Sequence, residues 1–206
     1  MTQSILANRK TGISLERDLG LEYVRDPEFF WEWESDLAEV SDGEKLFLDQ
    51  VRETYIHWVE DPPLLDKPVQ IGFLGPILSL GGFFLPPFRF KRENSIEFQL
   101  EDKGTPIHGC LDILRLTPRF WIMAIESQRF SFSSHAGEVD FLAHLQSKLQ
   151  IGETGYGLVV TGGQSVFLKL VKDTISTYAF SNSFATWNEG NELYDVFRIL
   201  KRISQL

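Results

Sequence analysis

The stretch GCLDILRLTPRFWIMAIESQR, residues 109–129, decides the fold class because it contains two β-strands joined by a short turn. Residues 120–125 are continuously apolar, which is typical of a central strand covered on both faces. Two carboxylates interrupt this apolar region: Asp112 lies within the first strand and Glu126 ends the second. The same stretch therefore predicts a buried sheet and the first candidates for a functional site.

Alternating patterns extend the predicted sheet in both directions. Apolar residues alternate with polar ones at Phe88 and Phe90 and again at Ile96, Phe98 and Leu100, which predicts strands before the quoted stretch. After it, strands over 156–160 and 165–171 flank the Gly162-Gly163 turn, which predicts a hairpin.

Helical signals alternate with these strands. Ser41-Asp-Gly-Glu44 has the pattern of a capping box and predicts the start of a long helix. Further helices are predicted over 66–82, 138–150 and 191–204. The order helix, helix, three strands, helix, two strands, helix predicts a mixed α/β sandwich with helices on both sides of a sheet.

Composition excludes several classes of protein. With 206 residues, 43% hydrophobic and 24% charged, the chain is typical of a folded domain and not of a disordered or collagen-like one. The single cysteine, Cys110, cannot form an internal disulfide, and no zinc-finger spacing surrounds it. The N-terminus lacks the apolar stretch of a signal peptide, so we expect a cytoplasmic protein.

One uncharged segment, residues 68–88, is long enough to span a bilayer. Glycines and prolines interrupt it, and they would stop a helix well short of spanning length. A buried core helix is therefore the favoured interpretation, and no membrane partner is expected.

The net charge of −9 is unevenly distributed. Residues 1–66 hold 16 acidic and 6 basic side chains, whereas the remaining residues hold 13 and 14. We expect residues 1–40 to be an acidic, aromatic extension docked on the core, and residues 41–206 to be the main domain. The acidic third either repels nucleic acid or is simply a solvated surface, and the chain lacks the strongly basic character of a free-standing nucleic-acid binder.

Two interpretations of the carboxylates are open from spacing alone. If the strands pair through the turn at residues 117–119, Asp112 and Glu126 approach on one side of the sheet, and a hard cation such as Mg²⁺ between them would relieve their repulsion. Alternatively, each carboxylate caps a backbone amide or pairs with a nearby arginine.

The motifs around Asp112 and Glu126 resemble the core of the PD-(D/E)XK nuclease superfamily. Within it, the chain is most similar to the N-terminal nuclease domain of type I restriction enzyme R subunits, in particular to stand-alone proteins of the cyanobacterial type. The resemblance covers most of the chain, including LGPILSLGGF at residues 74–83 and VFRILKR at residues 196–202. It implies a restriction-endonuclease-like three-layer α/β/α sandwich with a mixed sheet.

The resemblance also implies a catalytic site of Asp112, Glu126 and Gln128. In this family the acidic residue of the second core strand and the Glu of the third bind Mg²⁺, so Asp112 and Glu126 correspond to ligands of Mg²⁺ or Mn²⁺. A lysine two positions after the Glu acts on the water, but here Gln128 takes its place. Glutamine orients water without charge or basicity, so an impaired site is expected.

The following helix supplies further candidates. Asp140 and His144 lie one turn apart, where related nucleases carry Gln and Tyr, and they are candidate accessory residues. The plainer interpretation is that both belong to the surface of an amphipathic helix. Lys148, another turn along, replaces the missing lysine only if its side chain reaches back to the strands.

Two hypotheses from different classes follow. The first is a Mg²⁺-dependent nucleic-acid phosphodiester hydrolase; the second is a catalytically inactive nuclease-fold protein that acts as a binding or regulatory module. The expected partners are accordingly DNA, a protein or a second copy of the chain. Nucleotide binding is not expected, because Thr161-Gly-Gly-Gln164 lacks the Gly-Lys ending of a phosphate loop. Arg89, Lys91 and Arg92 form either a phosphate-contacting strip or the protective charges of an edge strand.

Overall fold

The structure is a computed structural model that describes residues 19–33, 37–63, 67–102, 105–127 and 138–206. Within these ranges, only the backbone is described at residues 27, 94–102, 105–111 and 126–127.

Eight strands form one mixed sheet in the described part of the chain. They are β1 (Leu21–Tyr23), β2 (Lys91–Asp102), β3 (Thr105–Thr117), β4 (Phe120–Ser127), β5 (Glu153–Val160), β6 (Gln164–Lys172), β7 (Ser176–Phe180) and β8 (Phe184–Ala185). The order across the sheet is β1-β7-β6-β5-β4-β3-β2, and β8 pairs with β6. β2, β3 and β4 form an antiparallel meander, while β5 runs parallel to β4.

Four α-helices accompany the sheet in the described ranges: α1 (Asp42–Glu60), α2 (Gly75–Leu80), α3 (Glu138–Lys148) and α4 (Leu193–Ile203). A π-helix, Val69–Leu74, leads directly into α2, and a 3₁₀ helix spans Pro27–Trp33. The predicted capping box begins α1: the Ser41 hydroxyl accepts from the Glu44 amide, and the Glu44 carboxylate accepts from the Ser41 amide at 2.8 Å.

The two faces of the sheet carry separate cores. One core unites α1, the π-helix, α2 and α4 with strand residues that include Leu114, Leu116 and Ala124. The other packs α3 against strand residues that include Ile113 and Met123. Because neighbouring strand residues alternate between these cores, β3 and β4 are buried on both sides, and the predicted central strand with helices on both faces is confirmed.

Several boundaries differ from the sequence prediction. β2 begins at Lys91, so Phe88 and Phe90 precede the strand. β1, β7 and β8 were not predicted, because they are short and gain their stability from pairing with neighbouring strands. The predicted 156–160 and 165–171 hairpin is present as β5 and β6, with Gly162 at a positive φ of 80° in its turn.

The uncharged segment 68–88 folds as the π-helix and α2, with Val69, Phe73, Ile77 and Leu78 buried in the core. Gly81 is its C-cap, which confirms the predicted end of the helix. Among the helices of the described ranges, none combines the length and the apolar character needed to cross a bilayer.

Part of the acidic N-terminal third is joined to the sheet. β1 pairs in parallel with β7, and the 3₁₀ helix contacts α4. Glu32 of that helix is buried, where its Oε1 lies 2.5 Å from Lys169 Nζ and accepts a hydrogen bond of 2.9 Å from the Tyr156 hydroxyl. A charged pair and a hydroxyl thus attach residues 27–33 to β5 and β6.

Gly72 sets how closely the π-helix approaches α1. A Cβ at this position would overlap the Trp58 indole ring, so only glycine permits the observed spacing. Because the π-helix follows Lys67 and contains Gln70, this close approach also positions two polar side chains over the sheet.

We expect Gly72→Ala to lower the free energy of unfolding by about 1–3 kcal/mol, because the added methyl group overpacks a rigid aromatic contact. Gly43→Ala is the matched control, since a Cβ at Gly43 in α1 meets no atom within 4 Å. The control should be neutral or should stabilise by up to about 1 kcal/mol. Urea unfolding of both variants measures the difference, and equal effects would show that the two helices do not depend on this contact.

Candidate functional site

Asp112 is the fully buried carboxylate in the middle of β3, with 0% of its side chain exposed. It lies two residues before Leu114, which belongs to the core formed with the π-helix and α2. Alternation along the strand therefore places Asp112 on this same face of the sheet. A charged group at such a position is costly unless other groups compensate its lost hydration.

Among the described residues, three side chains compensate Asp112. The Lys67 ammonium and the Gln70 side-chain amide both donate to its Oδ2, the amide at 2.5 Å. Arg92 Nη1 lies 4.0 Å from Oδ1. These three groups come from two separate parts of the chain, since Lys67 and Gln70 precede α2 whereas Arg92 lies on β2.

The surroundings of Asp112 combine a buried anion with partly hydrated cations. The Lys67 side chain is 32% exposed and the Arg92 side chain 64% exposed. Both described cations beside Asp112 are therefore open to solvent. A phosphate or another anion approaching from the Arg92 side would be attracted.

Glu126 occupies the neighbouring strand close to Asp112. The register of β3 and β4 pairs Asp112 with Ala124 and Cys110 with Glu126. The Glu126 backbone is therefore diagonal to that of Asp112, at a typical separation of about 7–8 Å for such neighbours. The Glu126 side chain and all of Gln128 lie outside the described residues, so the approach of the two carboxylates stays a prediction.

His144 lies on the other face of the sheet from Asp112. It belongs to α3, whose buried Phe141, Leu142 and Leu145 form the core on that face. Its Nε2 lies 3.1 Å from Glu93 Oε2. Asp140 is one turn earlier on the same helix, so the structure does not bring these two predicted accessory residues together with Asp112.

Glu93 is the centre of a second polar cluster, which is built around a β-bulge in β2. The ladder register shifts between Arg92 and Asn94, and Glu93 lies at this irregularity with its side chain almost fully buried. Its carboxylate accepts from Trp121 Nε1 and from Arg115 Nη1, each at 3.2 Å. Lys148 Nζ lies 3.5 Å away.

These contacts shift the pKa values of Glu93 and His144. Burial alone raises the pKa of Glu93, but the hydrogen bonds from Trp121, His144 and Arg115, with the charge of Lys148, lower it overall. Burial lowers the pKa of His144 despite its hydrogen bond to Glu93. At neutral pH a neutral His144 therefore donates its Nε2–H to an ionised Glu93, because a carboxylate can only accept. Burial raises the pKa of Asp140.

The positive side chains divide between the two clusters. Lys148, considered above as a replacement for the missing lysine, reaches Glu93, and Arg115 also pairs with Glu93. The cation in contact with Asp112 is instead Lys67. Sequence analysis missed Lys67, Gln70 and Glu93. The only signal for Lys67 was its position directly before the uncharged 21-residue segment, residues 68–88.

The described side chains do not by themselves form a complete metal site. Within the described residues, no group of three or more His, Cys, Asp or Glu side chains is placed to hold an ion. Asp112 nevertheless offers the hard oxygen donor that Mg²⁺ prefers, and Mg²⁺ commonly takes only one or two protein carboxylates. The donor chemistry of Asp112, with Glu126 diagonal to it, is therefore compatible with Mg²⁺ or Mn²⁺.

No protein-family model matches this chain, and comparisons with curated proteins and with solved structures find no match either. The function must accordingly be argued from the two clusters themselves.

The lowered pKa of His144 predicts a stability that falls as the pH drops below about 6.5, the ordinary value of histidine. Below this pH, His144 is protonated in the unfolded chain but stays neutral in the folded chain. The free energy of unfolding therefore decreases by up to about 1.4 kcal/mol for each pH unit. About one pH unit above 6.5, both states are neutral at this group and the dependence disappears. Glu93, whose pKa is also lowered, adds a loss of the same sign only below its ordinary value of 4.5.

His144→Gln should remove the pH dependence between about 5 and 6.5, because an amide still donates to Glu93 but does not titrate. His57→Gln, at an exposed histidine of α1, is the matched control and should leave the profile unchanged. Denaturant unfolding at several pH values measures both. A wild-type profile that is flat in this interval, or one that His144→Gln leaves unaltered, contradicts the assignment.

Proposed function

We propose that this chain is a Mg²⁺-dependent phosphodiester hydrolase of the restriction-endonuclease-like fold, with Asp112 and Glu126 as the metal ligands. The observation that carries the proposal is the buried Asp112 carboxylate on the second strand of the β2-β3-β4 meander, with the Lys67 ammonium in contact. Glu126 lies on the third strand of the same meander, and the resemblance assigns it as the second acidic ligand. Buried charges of this kind are frequent at functional sites.

Lys67 takes the electrostatic role of the lysine that Gln128 replaces. In the resembling family the charge comes from the strand of the second ligand, whereas here the Lys67 ammonium reaches the Asp112 carboxylate from two residues before the π-helix. The Lys67 side chain is partly exposed to solvent. Its ammonium can therefore also contact a phosphate that approaches from solvent. Gln70, also in contact with Asp112, orients the carboxylate.

The reaction would be a hydrolysis in which a water oxygen bonds to phosphorus and gives up its proton to solvent, the ester P–O bond breaks, and the leaving oxygen takes a proton from solvent. Mg²⁺, when bound, polarises the phosphoryl oxygens and makes water more acidic. Lys67 and Arg92 hold the phosphate and stabilise the charge that develops on its oxygens. Gln128 would orient the attacking water through its amide, without removing the proton.

The inactive binding module is the second candidate, and the same contact is the observation that favours it. If the Lys67 ammonium permanently neutralises Asp112, the pair is an internal salt bridge that occupies the carboxylate in place of a cation. The two candidates therefore differ in whether Lys67 assists the metal or replaces it.

Cleavage of supercoiled plasmid, single-stranded DNA and RNA in Mg²⁺ or Mn²⁺ tests the proposal. Asp112→Asn and Glu126→Gln keep side-chain size but remove the ligand charge, so each should lower the rate at least about 100-fold. Asp195→Asn, at an exposed carboxylate of α4, is the matched control and should cleave at the wild-type rate. No cleavage by the wild-type protein on any substrate contradicts the enzymatic proposal and leaves the binding module.

The role of Lys67 is tested in the same cleavage assay by removing the lysine at position 67 and introducing one at position 128. Lys67→Ala should reduce cleavage by about 100-fold or more, because it removes the positive charge at the phosphate. Adding Gln128→Lys to Lys67→Ala should restore a substantial part of the rate, since it places an ammonium where the resembling family has one. A double variant no faster than Lys67→Ala would show that Lys67 has a different role.

Stability in the presence of Mg²⁺ separates the two candidates without any substrate. Lys67→Ala leaves the Asp112 carboxylate with less compensation, and the free energy of unfolding should fall by about 1–3 kcal/mol. A metal site should recover part of this loss in millimolar Mg²⁺, because the cation takes over the charge of the ammonium. Lys45→Ala, which breaks an exposed ion pair with Asp42, should change stability by less than about 0.5 kcal/mol with or without Mg²⁺. An unrecovered loss favours the internal salt bridge.

A further inference from the structure

The segment between α2 and β2 presents an exposed pair of aromatic rings. Phe84 is 50% exposed and Phe90 37% exposed, and their rings pack edge to face with centroids 5.2 Å apart. A second pair, Phe83 and Phe88, has centroids 4.9 Å apart and packs into the core. One pair therefore anchors the segment while the other faces solvent.

The exposed rings lie within a positively charged sequence. Residues 81–92, GGFFLPPFRFKR, contain three basic residues and no acidic one, in a chain whose net charge is −9. Arg89 and Lys91 flank Phe90 and are both exposed. The charge and the aromatic rings thus occur together, in contrast to the acidic composition of residues 1–66.

Arg92 connects this surface with the buried carboxylate. Its exposed guanidinium lies 4.0 Å from Asp112 Oδ1, two residues after Phe90. A backbone phosphate bound at Arg92 would therefore lie at the entrance to the Asp112 site.

We propose that Phe84 and Phe90, with Arg89, Lys91 and Arg92, bind single-stranded nucleic acid and deliver it to the Asp112 site. Unpaired bases stack on exposed aromatic rings, and the basic residues between them contact the phosphates. A duplex keeps its base faces stacked on each other, so it can use the charges but not the rings. The inference deepens the function proposed above by naming the class of strand, and it rests on that function for delivery but not for binding.

Fluorescence anisotropy of a labelled 20-nucleotide oligothymidine with the full chain, in EDTA, measures binding without cleavage. We expect a single strand to bind at least about tenfold more tightly than a duplex of equal length. The Phe84→Ala, Phe90→Ala double variant should weaken single-strand binding at least about tenfold and duplex binding little. An oligouridine of the same length shows whether the strand is DNA or RNA.

Two further sets of variants distinguish stacking from other docking. Phe84→Leu with Phe90→Leu keeps an apolar surface without rings, so it should weaken binding nearly as much as the alanines. Arg89→Ala and Lys91→Ala should each lower the slope of log affinity against log salt by about 0.7. Trp31→Ala, at an exposed ring beside Lys169, and Lys45→Ala are the matched controls and should bind like the wild type.

The outcomes decide for or against the surface independently of the enzyme. Loss of binding in both phenylalanine double variants supports the proposal even if the wild type cleaves nothing. Wild-type binding by the leucine variant, equal affinity for duplex and single strand, or no binding of any strand overturns it, even if cleavage occurs. Binding retained by leucine but lost by alanine would show an apolar contact without base stacking, and it would likewise overturn the proposal.

Discussion

The organisation of the site depends on one ion pair, between the buried Asp112 carboxylate on β3 and the Lys67 ammonium before the π-helix. A carboxylate inside a sheet buried on both faces must be compensated, and the compensation comes from an element packed on top of that sheet. Gly72 allows the π-helix to approach α1 closely, and this approach holds Lys67 and Gln70 over Asp112. Backbone packing and electrostatics are therefore coupled at this point.

The two polar clusters lie on opposite faces of the same strands and differ in character. Around Asp112, the described cations, Lys67 and Arg92, are both partly exposed to solvent. Around Glu93, a buried carboxylate is surrounded by Trp121, His144, Arg115 and Lys148, and its hydrogen bonds tie β2 to β3, β4 and α3. The first arrangement suits chemistry at a surface, and the second suits a structural role.

Local pattern was sufficient to predict the central architecture. The continuous apolar run of residues 120–125 and the turn before it predicted the β3-β4 pair, and the capping box at Ser41 predicted the start of α1. The short strands β1, β7 and β8 escaped prediction because strands of a few residues are stabilised by their neighbours rather than by their own pattern. The partner of Asp112 could not be predicted either, since Lys67 is 45 residues away and reaches it only after the helix packs on the sheet. Likewise, His144 on α3 had no sequence signal pointing to Glu93.

The central claim is that Asp112, with Glu126 diagonal to it, binds a divalent cation. Electron paramagnetic resonance during titration with Mn²⁺ tests it most directly, because free and protein-bound Mn²⁺ give different signals and no substrate is needed. The account predicts one site per chain that Mg²⁺ competes for and that Asp112→Asn abolishes. Either the absence of binding to the wild type, or a site that Asp112→Asn leaves intact, would contradict it.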